Sequence, residues 1–387
     1  GNNLRGQAYQ HYHGGGMNQV DHYNFRGLPE EQFTELLLDY TIADADWDAS
    51  PALTGEQFYS SMVYDALGRM VSGTDPGGNV TEHSYNRMGL LKRVAVTKAG
   101  SGSADEYVSE IRYDAKGQRL RIYYGNGAST KYEYDPLTYR LGRIYSQRLG
   151  TVYQDQNYYY DAVGNITMVK ELSWNAVTGH QDSYFSNTVT TPHREFTYDS
   201  LYRLTEAKGR ETKSLPSGAA TDNFNDSGAH HSISHPFSGT VIQSYTQLYS
   251  YDGVGNITEL KHTAGTGSYT RTYNYASGSN KLLDTSIGSG TPTVYSNTYD
   301  LRGNIITLPH LMEIGYNDQN MMCYNKISGL GFAYYQYASG ARSRKVIEKT
   351  GMIEERIYLG GYELYRKHVG GYGNIDVERS TVHVSDD

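Results

Sequence analysis

The dipeptide Tyr-Asp recurs seven times, at Tyr64-Asp65, Tyr113-Asp114, Tyr134-Asp135, Tyr160-Asp161, Tyr198-Asp199, Tyr251-Asp252 and Tyr299-Asp300, and this recurrence limits the fold more than any other feature. Five of the seven extend to Tyr-Asp-x-x-Gly, through Gly68, Gly117, Gly164, Gly255 and Gly303. Looser copies share the spacing: Tyr85-Asn86 with Gly89, Tyr316-Asn317, and Tyr275 and Tyr337, each followed by alanine. The step from tyrosine to tyrosine is 21 residues at 64 to 85, 113 to 134, 316 to 337 and 337 to 358, and 24 residues at 251 to 275 to 299. A step of ~21 residues holds two strands of ~6 to 8 residues and two turns, so each repeat reads as one β-hairpin.

The segment LYSYDGVGNITEL, residues 248–260, explains its own turn. Tyr249 and Tyr251 share one face of the incoming strand. Asp252 opens the turn with a carboxylate placed to accept backbone N–H groups two residues on, and Gly255 supplies the positive φ that closes it. Asn256-Ile257-Thr258 then starts the return strand. The same reading applies to the sets Tyr64, Asp65, Gly68; Tyr113, Asp114, Gly117; Tyr160, Asp161, Gly164; and Tyr299, Asp300, Gly303. The copies at Tyr134 and Tyr198 lack the glycine, and a different turn is expected there. One hairpin cannot bury its apolar face, so successive hairpins must pair edge to edge, and the twist they accumulate makes a long sheet curl. The expected fold is all-β: tandem hairpin repeats forming one long curled sheet, with residues 1–387 a single repeat region.

Composition agrees. Tyr accounts for 39 of 387 residues, against 8 Phe and 2 Trp, and its amphipathic ring suits half-buried strands better than a dry helical core. The 43 glycines fit frequent tight turns. A formal net charge of -8 with scattered Lys and Arg leaves no basic stripe for a phosphate backbone, so nucleic acid is not an expected partner. The one cysteine, Cys323, excludes an internal disulfide framework and reads as a small buried residue. No apolar run approaches the ~18 residues of a membrane span, and the N-terminus lacks the basic and apolar regions of a signal peptide, reading instead as the middle of something longer.

Three stretches depart from the period. Residues 1–60 read as a lead-in. Within it PEEQFTELLLDY, 29–40, places Phe33, Leu36, Leu37 and Tyr40 at helical spacing, while FTELLLDYTI reads equally well as a strand. Asp44, Asp46 and Asp48 then alternate in a loop-like segment, but a calcium loop also needs a Gly and a bidentate Glu at set spacing, so a solvated acidic loop is expected. Residues 208–239 read as a polar loop insertion carrying His230, His231 and His235, a loose metal-like cluster without cysteine for which no bound metal is expected. His11 and His13 beside Gly14-Gly15-Gly16 read as flanking a turn.

No phosphate-cradling loop, nucleophile elbow or His-Glu-x-x-His helix is present, and the aspartates already have a structural task in turns. The chain therefore reads as a scaffold rather than an enzyme, without catalytic residue or cofactor. Rows of Tyr at period two serve cross-strand packing; the alternative is an exposed aromatic surface that stacks on sugars.

Beyond the dipeptide, the stretches NLRGQAYQHYHGGG, VYDALGRM, SYTQLYSYDGVGNITELKH, YDLRGNIITLPHL and IYLGGYELYRK resemble the RHS/YD-repeat family, specifically the C-components of insecticidal toxin complexes and related bacterial RHS toxins. The resemblance implies a β-strip wound into a spiral, hollow shell that encloses and protects a C-terminal toxin polypeptide. It further implies a secreted or extracellular protein whose partners are that polypeptide and other shell segments or subunits, with glycan binding or adhesion as the alternative. The family's shell continues into a core segment and a self-cleaving aspartyl site; TVHVSDD, 381–387, is expected to lie upstream of these, so no protease residue is carried over.

Overall fold

The computed structural model describes residues 2–173, 183–185, 188–212, 242–288, 293–308, 311–327, 329 and 331–386. Apart from two single-turn 3-10 helices, Trp47–Ala49 and Gly265–Gly267, its regular elements are strands. Twenty of them, from Gln10–His13 to Thr293–Ser296, belong to one antiparallel sheet that does not close, and a separate seven-stranded antiparallel sheet runs from Leu311–Tyr316 to Ile375–Val382. Where the sequence reads as a single region, contacts divide the chain into two compact units: residues 1–118, 122–126 and 311–387, and residues 119–121 and 127–310.

In the first unit the hairpins at the N-terminal end of the long sheet pack on the seven-stranded sheet. Leu36 and Phe58, from strands Pro29–Leu37 and Leu53–Tyr64, join Ile357, Tyr362 and Leu364 in one buried cluster. This settles the ambiguous segment at 29–40: Pro29–Leu37 is a strand, and the segment contains no helix. Pro29–Leu37 pairs on both sides, with Gly16–Tyr23 and with Leu53–Tyr64. A helix of about twelve residues has little intrinsic stability and gains it from packing. The two ladders and the burial of Phe33, Leu36 and Leu37 favour the strand. Glu35 is also buried, and its Oε1 accepts the Gly55 N–H at 2.8 Å.

Residues 1–60 are likewise more than a lead-in. Tyr23-Asn24-x-x-Gly27 is a repeat turn with Asn in place of Asp: the Asn24 Oδ1 accepts the Arg26 and Leu28 N–H groups at 2.9 and 3.1 Å. The three aspartates after it act separately. Asp46 caps the 3-10 turn by accepting the Asp48 N–H, and the Asp44 carboxylate accepts the Asp318 N–H at 3.1 Å.

The second unit is a run of hairpins from Ala128–Tyr134 onward. The supposed insertion at 208–239 begins later than the composition suggests, because Lys208 to Thr212 complete strand Leu204–Thr212 and pair with Ile242–Tyr251. The ladder to the neighbouring strand overrides the polar composition there. His230, His231 and His235 lie outside the described residues.

Leu36 is 1% exposed and spans the two sheets of the first unit, so Leu36→Ala is expected to cost about 2–5 kcal/mol. Denaturant unfolding of the purified chain measures this, and a loss below about 1 kcal/mol would contradict the inter-sheet core.

Candidate functional site: the seams between hairpins

Each motif turn is organised around its acidic residue. At 64–70 the Asp65 N–H donates to the Arg69 carbonyl at 2.9 Å, and Oδ1 of Asp65 accepts the N–H groups of Leu67 and Arg69 at 2.9 and 3.0 Å. Asp114, Asp161, Asp252 and Asp300 accept the amides two and four residues on in the same way. Gly68, Gly117, Gly164, Gly255 and Gly303 all lie at positive φ, between +82° and +113°. The two turns without glycine differ from each other. At Tyr198 the geometry is kept and Tyr202 takes the left-handed position at φ +63°, whereas at Tyr134 the loop is one residue longer, closed by Asp135 N–H to the Arg140 carbonyl at 2.9 Å.

The second carboxylate oxygen has its own partner, which the sequence reading did not assign. Asn256 does not start the return strand, which begins at Ile257; its amide donates to Asp252 Oδ2 at 2.9 Å. Asn304 and Asn165 do the same for Asp300 and Asp161, and Arg69 and Arg203 use their guanidinium Nε on Asp65 and Asp199 at 2.8 and 2.7 Å. These bonds hold the carboxyls of Asp65, Asp252 and Asp300 below the usual range, through Arg69, Asn256 and Asn304 respectively.

The motif tyrosine acts between repeats. At the turns of Tyr64, Tyr134, Tyr160, Tyr198, Tyr251 and Tyr299 the register shifts at the tyrosine, as between Val63 and Tyr64 or Ser250 and Tyr251, so a bulge follows the loop and the strand bends. Towards the next hairpin the ladder then stops early. Met70–Thr74 and Val80–Tyr85 last pair at Ser72–Glu82, two residues short of Met70. The Met70 carbonyl is taken instead by the Tyr85 hydroxyl at 2.8 Å. The arrangement repeats: Tyr113 donates to Leu91 O, Tyr160 to Leu141 O, Tyr251 to Leu204 O, Tyr275 to Ile257 O, Tyr299 to Leu282 O and Tyr337 to Met322 O, at 2.6 to 3.0 Å. Tyr23, Tyr64, Tyr134 and Tyr198 donate likewise to Ala8, Pro29, Arg119 and Ile166. Basic side chains cover several of these rings: Arg69 lies 4.4 Å from the Tyr85 centroid, Arg203 4.7 Å from Tyr251 and Lys281 5.5 Å from Tyr299. Arg69 and Arg203 thus bind the aspartate of their own turn and cover the tyrosine of the next.

A second feature, absent from the sequence reading, is a pair of arginines that reach from the seven-stranded sheet to the long sheet in the first unit. Arg366 grips both oxygens of Glu56 at 2.6 Å and donates through Nε to Glu378 at 2.7 Å. Arg344, 1% exposed, donates to Glu355 at 2.6 Å and to the Leu37 carbonyl at 2.7 Å, and also to the Tyr372 hydroxyl. Tyr40 and Tyr372 each place a ring centroid 5.4 Å from its guanidinium. Burial pushes the Tyr372 hydroxyl up to about 12, so it stays protonated and donates to Glu355 at 3.1 Å. Among the described residues no group of three or more His, Cys, Asp or Glu is placed to hold a metal ion, and no helix is long and apolar enough to cross a membrane. Cys323 is buried, and burial raises its thiol pKa.

A family model described as RHS Repeat matches residues 64–103. The toxin subunit YenC1 of Yersinia entomophaga is 30% identical over 300 residues, covering 74% of this chain, and YenC2 of the same organism is 29% identical over 276 residues, covering 68%. The chain belongs to the RHS-repeat family. It spans 29% of the length of YenC1 and 27% of YenC2. Among solved structures, TcdB2-TccC3 without its hypervariable C-terminal region matches 99% of this chain and 18% of its own length, with a TM-score of 0.80 at 23% identity. The Tc holotoxin pore of Photorhabdus luminescens matches with the same coverage and TM-score at 24% identity. At these identities the likeness is one of fold. That likeness of fold extends over nearly the whole chain, an all-β strip of antiparallel RHS hairpins.

The depressed aspartates make the RHS turns acid-sensitive. Their contribution is complete above the ordinary carboxyl pKa of ~3.9 and is lost as the pH falls through the lower folded-state values. Asn86 and Asn317 show that asparagine can hold the same turn without titrating. Between pH 6 and 2.5 the Tm of a variant carrying Asp65→Asn, Asp252→Asn and Asp300→Asn is therefore expected to fall less steeply than that of the parent; parallel curves would contradict the assignment.

Proposed function

We propose that this chain is a non-enzymatic wall segment of a secreted bacterial shell that encloses and protects a toxin polypeptide for delivery. Its partners in this reading are the enclosed polypeptide and the remaining shell segments or subunits. The observation that carries it is the seam. At eleven junctions among the described residues a tyrosine hydroxyl closes the backbone where adjacent hairpins splay, so repeats can be added without leaving these carbonyls open along the junction. The homology to two toxin subunits supplies the context in which such a wall is used.

The turn residues act as structural parts in this reading. Tyr64, Tyr113, Tyr160, Tyr251 and Tyr299 join hairpins, and Asp65, Asp114, Asp161, Asp252 and Asp300 hold loops with the glycines that follow. A glycan-binding surface built on the motif tyrosines is less well supported. Their hydroxyls are engaged by backbone carbonyls, and several ring faces are covered by Arg or Lys. Electron microscopy of the full-length parent protein tests the proposal. A closed wall around internal density assigned to the toxin segment is expected; a solid globule or a rod without an internal cavity would overturn it.

A further inference from the structure

Strands Tyr362–Val369 and Ile375–Val382 form the last hairpin of the seven-stranded sheet. Its turn, residues 369–375, is tied to a buried histidine. His368 is 2% exposed, and its Nδ1 accepts the Gly373 N–H at 3.2 Å. A ring nitrogen that accepts a backbone N–H carries no proton. The ring thus presents the Nδ1 lone pair to this amide, while Nε2 faces Glu355 Oε2 at 3.3 Å.

The groups around the ring define what a second proton would do. From strand Met352–Leu359 comes Glu355, 0% exposed and shared with Arg344 of strand Ala341–Lys349. From the turn comes Tyr372, stacked on the imidazole at 4.7 Å, with its hydroxyl on Arg344 and Glu355. Tyr40, from the segment after strand Pro29–Leu37, lies 5.3 Å from the Tyr372 ring. Arg366, two residues earlier on the same strand, is neutralised by Glu56 and Glu378. Directly across the ladders His368 meets Ile353 and Ile375, which are apolar. Glu355 favours a charged imidazole. The Gly373 amide opposes it, because a proton on Nδ1 would set two N–H groups against each other at 3.2 Å.

We propose that His368 and the 369–375 turn form an acid-released latch. At neutral pH the turn is pinned by the Gly373–His368 bond, and Tyr372 closes over Arg344. When the ring takes a second proton, His368 keeps Glu355 as an ion-pair partner and the Gly373 amide withdraws. Tyr372 is carried out with its turn, and the terminal hairpin loosens. Arg344 still holds Glu355 and the Leu37 carbonyl, so the tie between the two sheets of this unit outlasts the release of the hairpin.

Hydrogen–deuterium exchange of the purified chain between pH 7.5 and 5.5, corrected for intrinsic rates, reads the latch directly. Protection of amides 370–375 is expected to fall about tenfold or more, while strands Ala341–Lys349 and Met352–Leu359 keep theirs. In His368→Gln, whose side chain does not titrate, the exchange of this turn should not change over the same range. Should that variant fail to fold, Tyr372→Phe serves instead: it keeps the imidazole and the Gly373 bond and must retain the pH dependence. Unchanged protection at 370–375, simultaneous loss across the whole sheet, or a pH-independent Tyr372→Phe would each overturn the proposal.

Discussion

Where two hairpins of this chain meet, the ladder between them ends before the strands do. The bulge after each turn bends the return strand away from its next neighbour and leaves a backbone carbonyl facing no amide. An unpaired carbonyl of this kind costs about 1–3 kcal/mol when buried, and an extended array would incur that cost at each junction. The motif tyrosine removes it. Its ring packs at the splayed end of the strand pair and its hydroxyl reaches the carbonyl of the residue that opens the previous return strand, as Tyr251 does for Leu204. Phenylalanine would fill the same space and leave the carbonyl open. Tyrosine, rather than any apolar residue, is thus what lets hairpins be repeated.

The rest of the motif follows from placing that ring. Asp holds the loop amides so that the tyrosine always stands at the same distance from the turn. Residue 69 or 203, an arginine, fastens the other aspartate oxygen and covers the next ring. One repeat therefore prepares the site that the following repeat occupies. Elasticity in the period, 21 residues in some steps and 24 in others, is tolerated because the far turns do not enter the seam.

Much of this was legible in the sequence. Tyr-Asp-x-x-Gly carries the chemistry of its own turn, and the short-range bonds of Asp252 to Val254 and the positive φ of Gly255 follow from residue types alone. The seam was not legible, because it joins residues 15 to 47 apart through a carbonyl, and a carbonyl has no sequence signature. Tyr23-Asn24-x-x-Gly27 has the same form as Tyr85-Asn86-x-x-Gly89, but it stands alone within residues 1–60, where no neighbouring copy sets a period. Phe33 to Leu37 fitted two periodicities, and only the neighbouring strands decided between them. The inter-sheet arginines were hidden for a different reason. Arg344, Glu355 and His368 lie in strands rich in charge, which ordinarily read as solvent-facing, yet these three satisfy one another in the interior and are among the least exposed side chains of the chain.

The tyrosine hydroxyls, and not only the rings, hold adjacent hairpins together. This is tested most directly by the unfolding free energy of a chain in which Tyr160, Tyr198, Tyr251 and Tyr275 are all replaced by phenylalanine. The comparison is a chain in which the exposed Tyr153 and Tyr159 are replaced in the same way. Loss of about 1 kcal/mol per seam, and so about 4 kcal/mol in total, is predicted for the first chain, with little change in the second. Equal stability of the seam variant and its parent would contradict the account.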